Sequence, residues 1–202
     1  MKKIMFNDKY GLTKAVLEGR KTQTRRFIPK EFFTLQWDER DDTLVVENEF
    51  GDFVDIRNTK FCMLKVGEIV AVAQNYTACG GFMDDGTPRW DYISCIVGSK
   101  NRGWSNKMFV KPELMPHQIK VTNVRIERLQ DISDDDCLAE GVEKIISEDG
   151  TPRYYVKDWK GDTMLATYTP QNAYSFLIDK VGKKGDWEIN PCVFVYDFEL
   201  IK

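Results

Sequence analysis

Histidine is nearly absent: His117 is the one imidazole in 202 residues. That scarcity removes a large part of the chemistry proteins perform near neutral pH. A Ser-His-Asp triad, an HExxH zinc site and a histidine-rich metal cluster cannot be assembled from a single ring. A cysteine nucleophile would need the same residue as its base. His117 follows Pro116 at a loop-to-strand junction, where a structural role fits better than catalysis. Cys62, Cys79, Cys95, Cys137 and Cys192 form no CxxC pair. Neither a dinucleotide glycine fingerprint nor a P-loop occurs. Long apolar runs and leader-like segments are also missing. With an odd number of scattered thiols, these absences lead to the expectation of a reduced, cytoplasmic protein with no membrane partner, no metal and no cofactor. The net charge of −3 offers no general attraction for nucleic acid, so any such contact must come from a local basic patch.

What is present is enough for a core: 42% of residues are apolar and 12% aromatic. The length suits a single domain over residues 1–202 with insertions near 30–60, 77–110 and 143–168. The basic patch is Gly19 to Arg26, which reads Gly-Arg-Lys-Thr-Gln-Thr-Arg-Arg. Leu12, Ala15 and Val16 recur at helical spacing just before it, so Lys9 to Glu18 is predicted as a short helix. Asn7 or Asp8 would cap its start and Gly19 its end. Beyond Gly19 an extended chain puts Arg20, Thr22, Thr24 and Arg26 on one side and Lys21, Gln23 and Arg25 on the other. A turn would instead let Lys21 and Thr24 converge. The stretch reads either as an anion or nucleotide site or as a solvated basic loop.

Ser133-Asp134-Asp135-Asp136 is a strong helix start, with a capping serine and three carboxylates at the positive end of the dipole. The helix stops at Gly141, which leaves Glu140 in its last turn. There the dipole opposes a negative charge and favours the protonated carboxyl, a state suited to proton donation. Trp104 lies between Arg102 and Lys107; the mixture can stack a base and hold a phosphate, or bury the indole under a basic rim.

Elsewhere, Ile69 to Ala73 and Trp90 to Val97 read as strands. Thr43 to Phe50 and Phe53 to Arg57 read as a hairpin about Gly51-Asp52. Gln118 to Leu129 reads as a strand with a bulge near Asn123. Thr169-Pro170 opens a helix to Val181 that buries Ala173, Phe176, Leu177 and Val181. Cys192 to Ile201 carries the clearest period-two alternation. Several strands with few helices indicate an α+β chain whose small mixed or closed β-sheet has helices at its rim.

Four segments, in order and spanning nearly the whole chain, resemble the ASCH-domain family, in particular its phage- and prophage-associated branch. They are Leu17 to Arg26 (LEGRKTQTRR), Val66 to Val70 (VGEIV), Val124 to Gly141 (VRIERLQDISDDDCLAEG) and Trp187 to Leu200 (WEINPCVFVYDFEL). The first and third are the distinctive ones. ASCH domains are PUA-like: a β-barrel with flanking short helices and a cleft associated with RNA. The resemblance implies that fold here, with inserted hairpins or loops. Related small ASCH proteins deacetylate N4-acetylcytidine with a lysine, a threonine and a glutamate, which map onto Lys21, Thr24 and Glu140. This chain is about twice their length. It also carries Ala73-Gln74-Asn75 where phage-type relatives often have an Arg-Glu pair.

The functional expectation is therefore a domain binding RNA or a modified nucleoside in a basic cleft, with Arg20, Thr22, Arg25, Arg26, Gln74 and Trp104 as ligand-binding residues. The alternatives are an amidohydrolase acting on N4-acetylcytidine-type nucleosides through Lys21, Thr24 and Glu140, and a ribonuclease using the same cleft.

Overall fold

The computed structural model describes residues 1–28, 35–38, 43–48, 50–157 and 166–201. Most of residues 27–33, where Pro29 predicts a loop, most of the charged stretch 38–42, which predicts a turn, and the middle of the 143–168 insertion lie outside the described residues. The elements run β1 (Lys2–Ile4), α1 (Leu12–Leu17), β2 (Gln23–Phe27), β3 (Gln36–Asp38), β4 (Thr43–Glu47), β5 (Phe53–Asp55), β6 (Ile69–Val72) and α2 (Arg89–Val97). They continue with β7 (Gln118–Arg128), α3 (Asp134–Ala139), β8 (Glu143–Ile146), β9 (Pro152–Tyr155), α4 (Pro170–Val181), α5 (Asp186–Ile189) and β10 (Cys192–Leu200). The chain is α+β.

Five strands form the main sheet in the order β1-β6-β7-β10-β2. β10 pairs antiparallel with both β7 and β2, while β1 lies parallel to β6. Val193, Phe194, Val195 and Tyr196 are each at most 1% exposed, so the middle of β10 is covered on both faces, as a central strand requires. The β7–β10 register passes from Asn123 opposite Asp197 to Val121 opposite Phe198. Thr122 is thereby unpaired, and the bulge sits one residue from the expected Asn123.

The expected closed barrel is not formed. Among the described residues β1 and β2 are the two edges of an open sheet and do not pair with each other. Closure needs matched strands with a consistent tilt and stagger, whereas β1 has three residues and β2 five. A side chain spans the seam instead: the Arg26 guanidinium donates to the Met5 carbonyl at 2.9 Å. The hairpins form their own small sheets, β3-β4-β5 and β8-β9.

Three local expectations change. Gly11 takes a left-handed conformation (φ 66°) and splits the first helix into a 3₁₀ turn at Asp8–Tyr10 and α1. Asn7 caps that turn by accepting from the Lys9 amide. Residues 90–97 are helical, because Ile93 and Val97, four apart, face a common apolar region. In α4 the buried stripe is Pro170, Ala173, Tyr174 and Leu177. Phe176 and Val181 are 42% and 43% exposed, so the helix is rotated from the expected face and buries a phenol.

β6 separates two apolar regions. Val70 and Val72 belong to the main core with β7, β10 and α4. Ala71 and Ala73 face a second core built from Tyr76, Cys79, Ile93, Val110, Leu114 and Met115. Among the described residues no helix is long and apolar enough to cross a membrane.

Candidate active site

Lys21 is brought to its place by two helix ends. After α1, Gly19 adopts φ 71°, and the amides of Arg20 and Lys21 both donate to the Ala15 carbonyl at 2.9 and 3.0 Å. The next amide, of Thr22, donates to the Ala139 carbonyl in the last turn of α3 at 2.9 Å. The Ser133 side chain caps the start of α3 by accepting from the Asp136 amide, and Gly141 (φ 106°) terminates it. The C-terminal ends of α1 and α3 thus meet over Lys21, where partial negative charge favours an ammonium.

That ammonium has three acceptors: the Gln23 carbonyl at 2.7 Å, the Glu140 carbonyl at 2.8 Å and Glu140 Oε2 at 2.5 Å. The two side chains are 1% and 5% exposed. Burial pushes the Lys21 ammonium below the usual lysine range; attraction to Glu140 offsets this in part, and Arg26 and Arg25 add to the lowering. Phe6 lies beneath two cations, with Lys21 Nζ 5.8 Å and Arg26 Cζ 5.9 Å from its ring centre.

A cavity of about 60 Å³ opens beside this pair, at the free edge of β2. Its walls include Lys21, Thr24, Arg25, Arg26, Glu140 and Tyr174. The Lys21, Thr24 and Glu140 of the sequence expectation therefore share one small chamber. Thr24 is 4% exposed, sits opposite Tyr196 in the sheet and contributes a hydroxyl with no hydrogen-bond partner among the described residues.

The other expected ligand residues scatter. Arg20 lies on another face, paired with Glu18 at 2.7 Å and Glu143 at 3.3 Å. Thr22 is exposed and held by its backbone between Ala139 and Phe198. Arg25 lines the cavity, but its charge is matched by Glu127 at 2.8 Å, Asp136 at 2.9 Å and Glu140 at 3.4 Å. Arg26 lines both this cavity and an adjacent groove bounded by Ile4, Met63, Leu64 and Tyr196. Gln74 is 8% exposed beyond β6; its backbone N–H donates to Met115 Sδ at 3.3 Å, and it is not part of the Lys21 cavity. Trp104 packs edge-on against Tyr76 with ring centres 5.5 Å apart. Its indole N–H donates to the Gly98 carbonyl at 2.9 Å, so the indole is tucked against the second core.

Sequence patterning does not single out the network behind the cavity. Gln23 Nε2 donates to Asp136 at 2.9 Å and Asp197 at 2.7 Å. Arg125 pairs with Asp136 at 2.9 Å and also with Glu127 and Asp197. Asp197 interrupts the face of β10 that carries Val193 and Val195, the one visible signal in the sequence. Burial raises the Asp136 carboxyl, but hydrogen bonds from Gln23 and Arg25 and the charges of Arg25 and Arg125 outweigh it, and the net shift is downward. Such a group stabilises the fold fully above the unfolded carboxyl value of about 4, and loses that contribution as pH falls through the lower folded value. The stability gap between the unsubstituted protein and Asp136→Asn is accordingly expected to be largest near neutrality and to shrink below about pH 4. Urea denaturation at pH 7 and pH 3 measures it; a gap independent of pH contradicts the assignment.

Cys137 and Cys79 are poor nucleophile candidates, since burial pushes their thiols up to about 12 and about 11. Among the described residues no group of three or more His, Cys, Asp and Glu side chains is placed to hold a metal ion. Comparison with family models, with curated proteins and with solved structures found no match to this chain.

Proposed function

We propose that this chain is an amide hydrolase that removes a short acyl group from the exocyclic nitrogen of a nucleoside, with Lys21 as base, Thr24 as nucleophile and Glu140 as acid. The observation that carries it is the buried Lys21–Glu140 pair, 2.5 Å apart, on the wall of a small chamber shared with the Thr24 hydroxyl. The resemblance of Leu17 to Arg26 and of Val124 to Gly141 to the ASCH-type deacetylases supplies the substrate class.

One proton serves both partners of the pair. As an ion pair, Lys21 is an ammonium and cannot act as a base. Transfer of that proton across 2.5 Å leaves a neutral amine and a carboxylic acid, the states that the two roles require, with no change in net charge. Lys21 then accepts the Thr24 hydroxyl proton as the oxygen attacks the amide carbon. Glu140 donates its proton to the departing nitrogen as the C–N bond breaks, which leaves acyl-Thr24 and restores the ion pair. In the second half, water attacks the ester carbonyl and gives its proton to Glu140. Lys21 returns a proton to the leaving Thr24 oxygen, and a free carboxylic acid departs. Arg26, on the same wall, places positive charge beside the tetrahedral oxyanion.

Binding of RNA through a basic cleft has weaker support, because Arg20 and Arg25 are already committed to carboxylates. A ribonuclease would have to work without a histidine on the cavity wall.

The test is incubation with N4-acetylcytidine and chromatographic detection of cytidine. Release is expected from the unsubstituted protein and, in the nearly isosteric Thr24→Val, only at background. Because burial lets the pair release its one shared proton below the usual lysine range, leaving Glu140 nothing to donate, turnover should fall on the alkaline side before pH 10.5. Equal release by Thr24→Val removes the nucleophile assignment, and salt-sensitive RNA binding without any release favours a binding module.

A further inference from the structure

Tyr174 is 1% exposed, lines the Lys21 cavity, and its hydroxyl has no hydrogen-bond partner among the described residues. An orphaned buried hydroxyl is costly and uncommon in a folded protein. A second orphan lies on the same wall: Arg25 lines the cavity, its side chain is 1% exposed, and its Nε–H is also without a partner. The two side chains are adjacent, with the Arg25 guanidinium 6.0 Å from the centre of the Tyr174 ring. Burial, followed by the nearby charge of Glu140, raises the phenol well above its ordinary value and keeps it a donor. Two residues of the cavity wall thus carry buried donors unsatisfied by protein, and the cavity's roughly 60 Å³ is small against the roughly 300–1,000 Å³ of pockets for drug-sized ligands.

We infer that the Tyr174 hydroxyl and the Arg25 Nε–H form an oxygen-binding subsite for a short acyl group, so that the chamber accepts an acetyl-sized carbonyl and the corresponding short carboxylate. This deepens the hydrolase reading by assigning the acyl side of the substrate, yet the binding site itself exists whether or not turnover occurs. Tyr174 acts here as a substrate-binding residue. The Glu140 carboxylate on the same wall would repel a bound carboxylate, but its charge is matched by Lys21 at 2.5 Å and Arg25 at 3.4 Å. Leu12, Leu177 and Ile178 line the same cavity, and its small volume limits the length of the acyl chain.

Calorimetric titration with sodium acetate, sodium butyrate and sodium chloride at matched ionic strength tests the assignment, on the unsubstituted protein and on Tyr174→Phe. The variant removes an oxygen that bonds to nothing in the protein, so its unfolding midpoint should equal or exceed that of the parent. Saturable acetate binding that Tyr174→Phe weakens by about three- to tenfold, with butyrate and chloride failing to bind, is the expected result. Acetate binding unaffected by the substitution, butyrate binding as well as acetate, or no saturation with acetate overturns the subsite. Acetate against butyrate on the unsubstituted protein keeps the test decisive if the variant folds poorly. Turnover of N4-acetylcytidine is read separately. Tyr174-dependent acetate binding without turnover keeps the subsite and removes the hydrolase; turnover without such binding does the reverse.

Discussion

Glu140→Ala is expected to cost roughly 3–5 kcal/mol of folding stability, the range for removing one partner of a buried ion pair. The reason is what stays behind. Lys21 is 2% exposed and cannot swing out into bulk water, since its backbone is pinned to Ala15 and the next amide to Ala139. Loss of the carboxylate strips the ammonium of its 2.5 Å partner and leaves two carbonyls to hold a full charge. Domains of this kind have about 5–15 kcal/mol in total, so the variant should approach the limit of folding at 37 °C. Urea denaturation measures the loss. Removing both charges together, as Lys21→Met with Glu140→Leu, should recover most of it, because an apolar pair of similar volume avoids the desolvation cost. A single variant within about 1 kcal/mol of the parent, the scale of an exposed pair, would mean that water reaches Lys21.

The same double variant should lose turnover by at least about 10²–10⁴, the usual contribution of positioned acid–base groups. Here stability and activity separate: the protein remains folded while base and acid are both gone. That separation distinguishes a working pair from a purely structural one, for which repair of the core would also repair function. The measurement is N4-acetylcytidine turnover by protein shown to be folded by its denaturation curve. Activity within about tenfold of the parent, less than one positioned group supplies, would exclude the pair from the chemistry.

Much of this chamber is legible in the sequence, and the legible parts share a physical character. Ser133, Thr169-Pro170, Gly19 and Gly141 act over one turn of chain, so their residue types announce them. Glu140 is legible for a related reason, as a carboxylate where a helix ends. The meeting of Lys21 with Glu140 joins residues 119 apart in sequence, and the ASCH-like motifs pointed to it where local pattern could not. What local pattern could not reveal depends on the partner. Asp136 looks like one of three interchangeable acids at a helix start, yet it is the one that faces Gln23, Arg25 and Arg125. Tyr174 is masked because Phe176 is the more apolar residue, while packing turns α4 so that the phenol goes inward. Residues 90–97 are too short an apolar run for periodicity to separate strand from helix. Closure of the sheet is not a local property either: β1 and β2 follow each other in the chain, yet they stand at opposite edges of the sheet because three other strands lie between them, and among the described residues they do not pair.

A strand that serves as a common wall has a thermodynamic consequence. Ala71 and Ala73 look toward Tyr76 and Ile93, and Val70 and Val72 toward the opposite interior. The inserted segment carrying α2 therefore rests on its own apolar seat, reinforced where the Tyr76 hydroxyl accepts from the Lys111 amide at 2.9 Å. It can open and reclose as a separate cooperative unit, at a lower free energy than global melting. Amide protons of α2 would then exchange with solvent well ahead of those in β10.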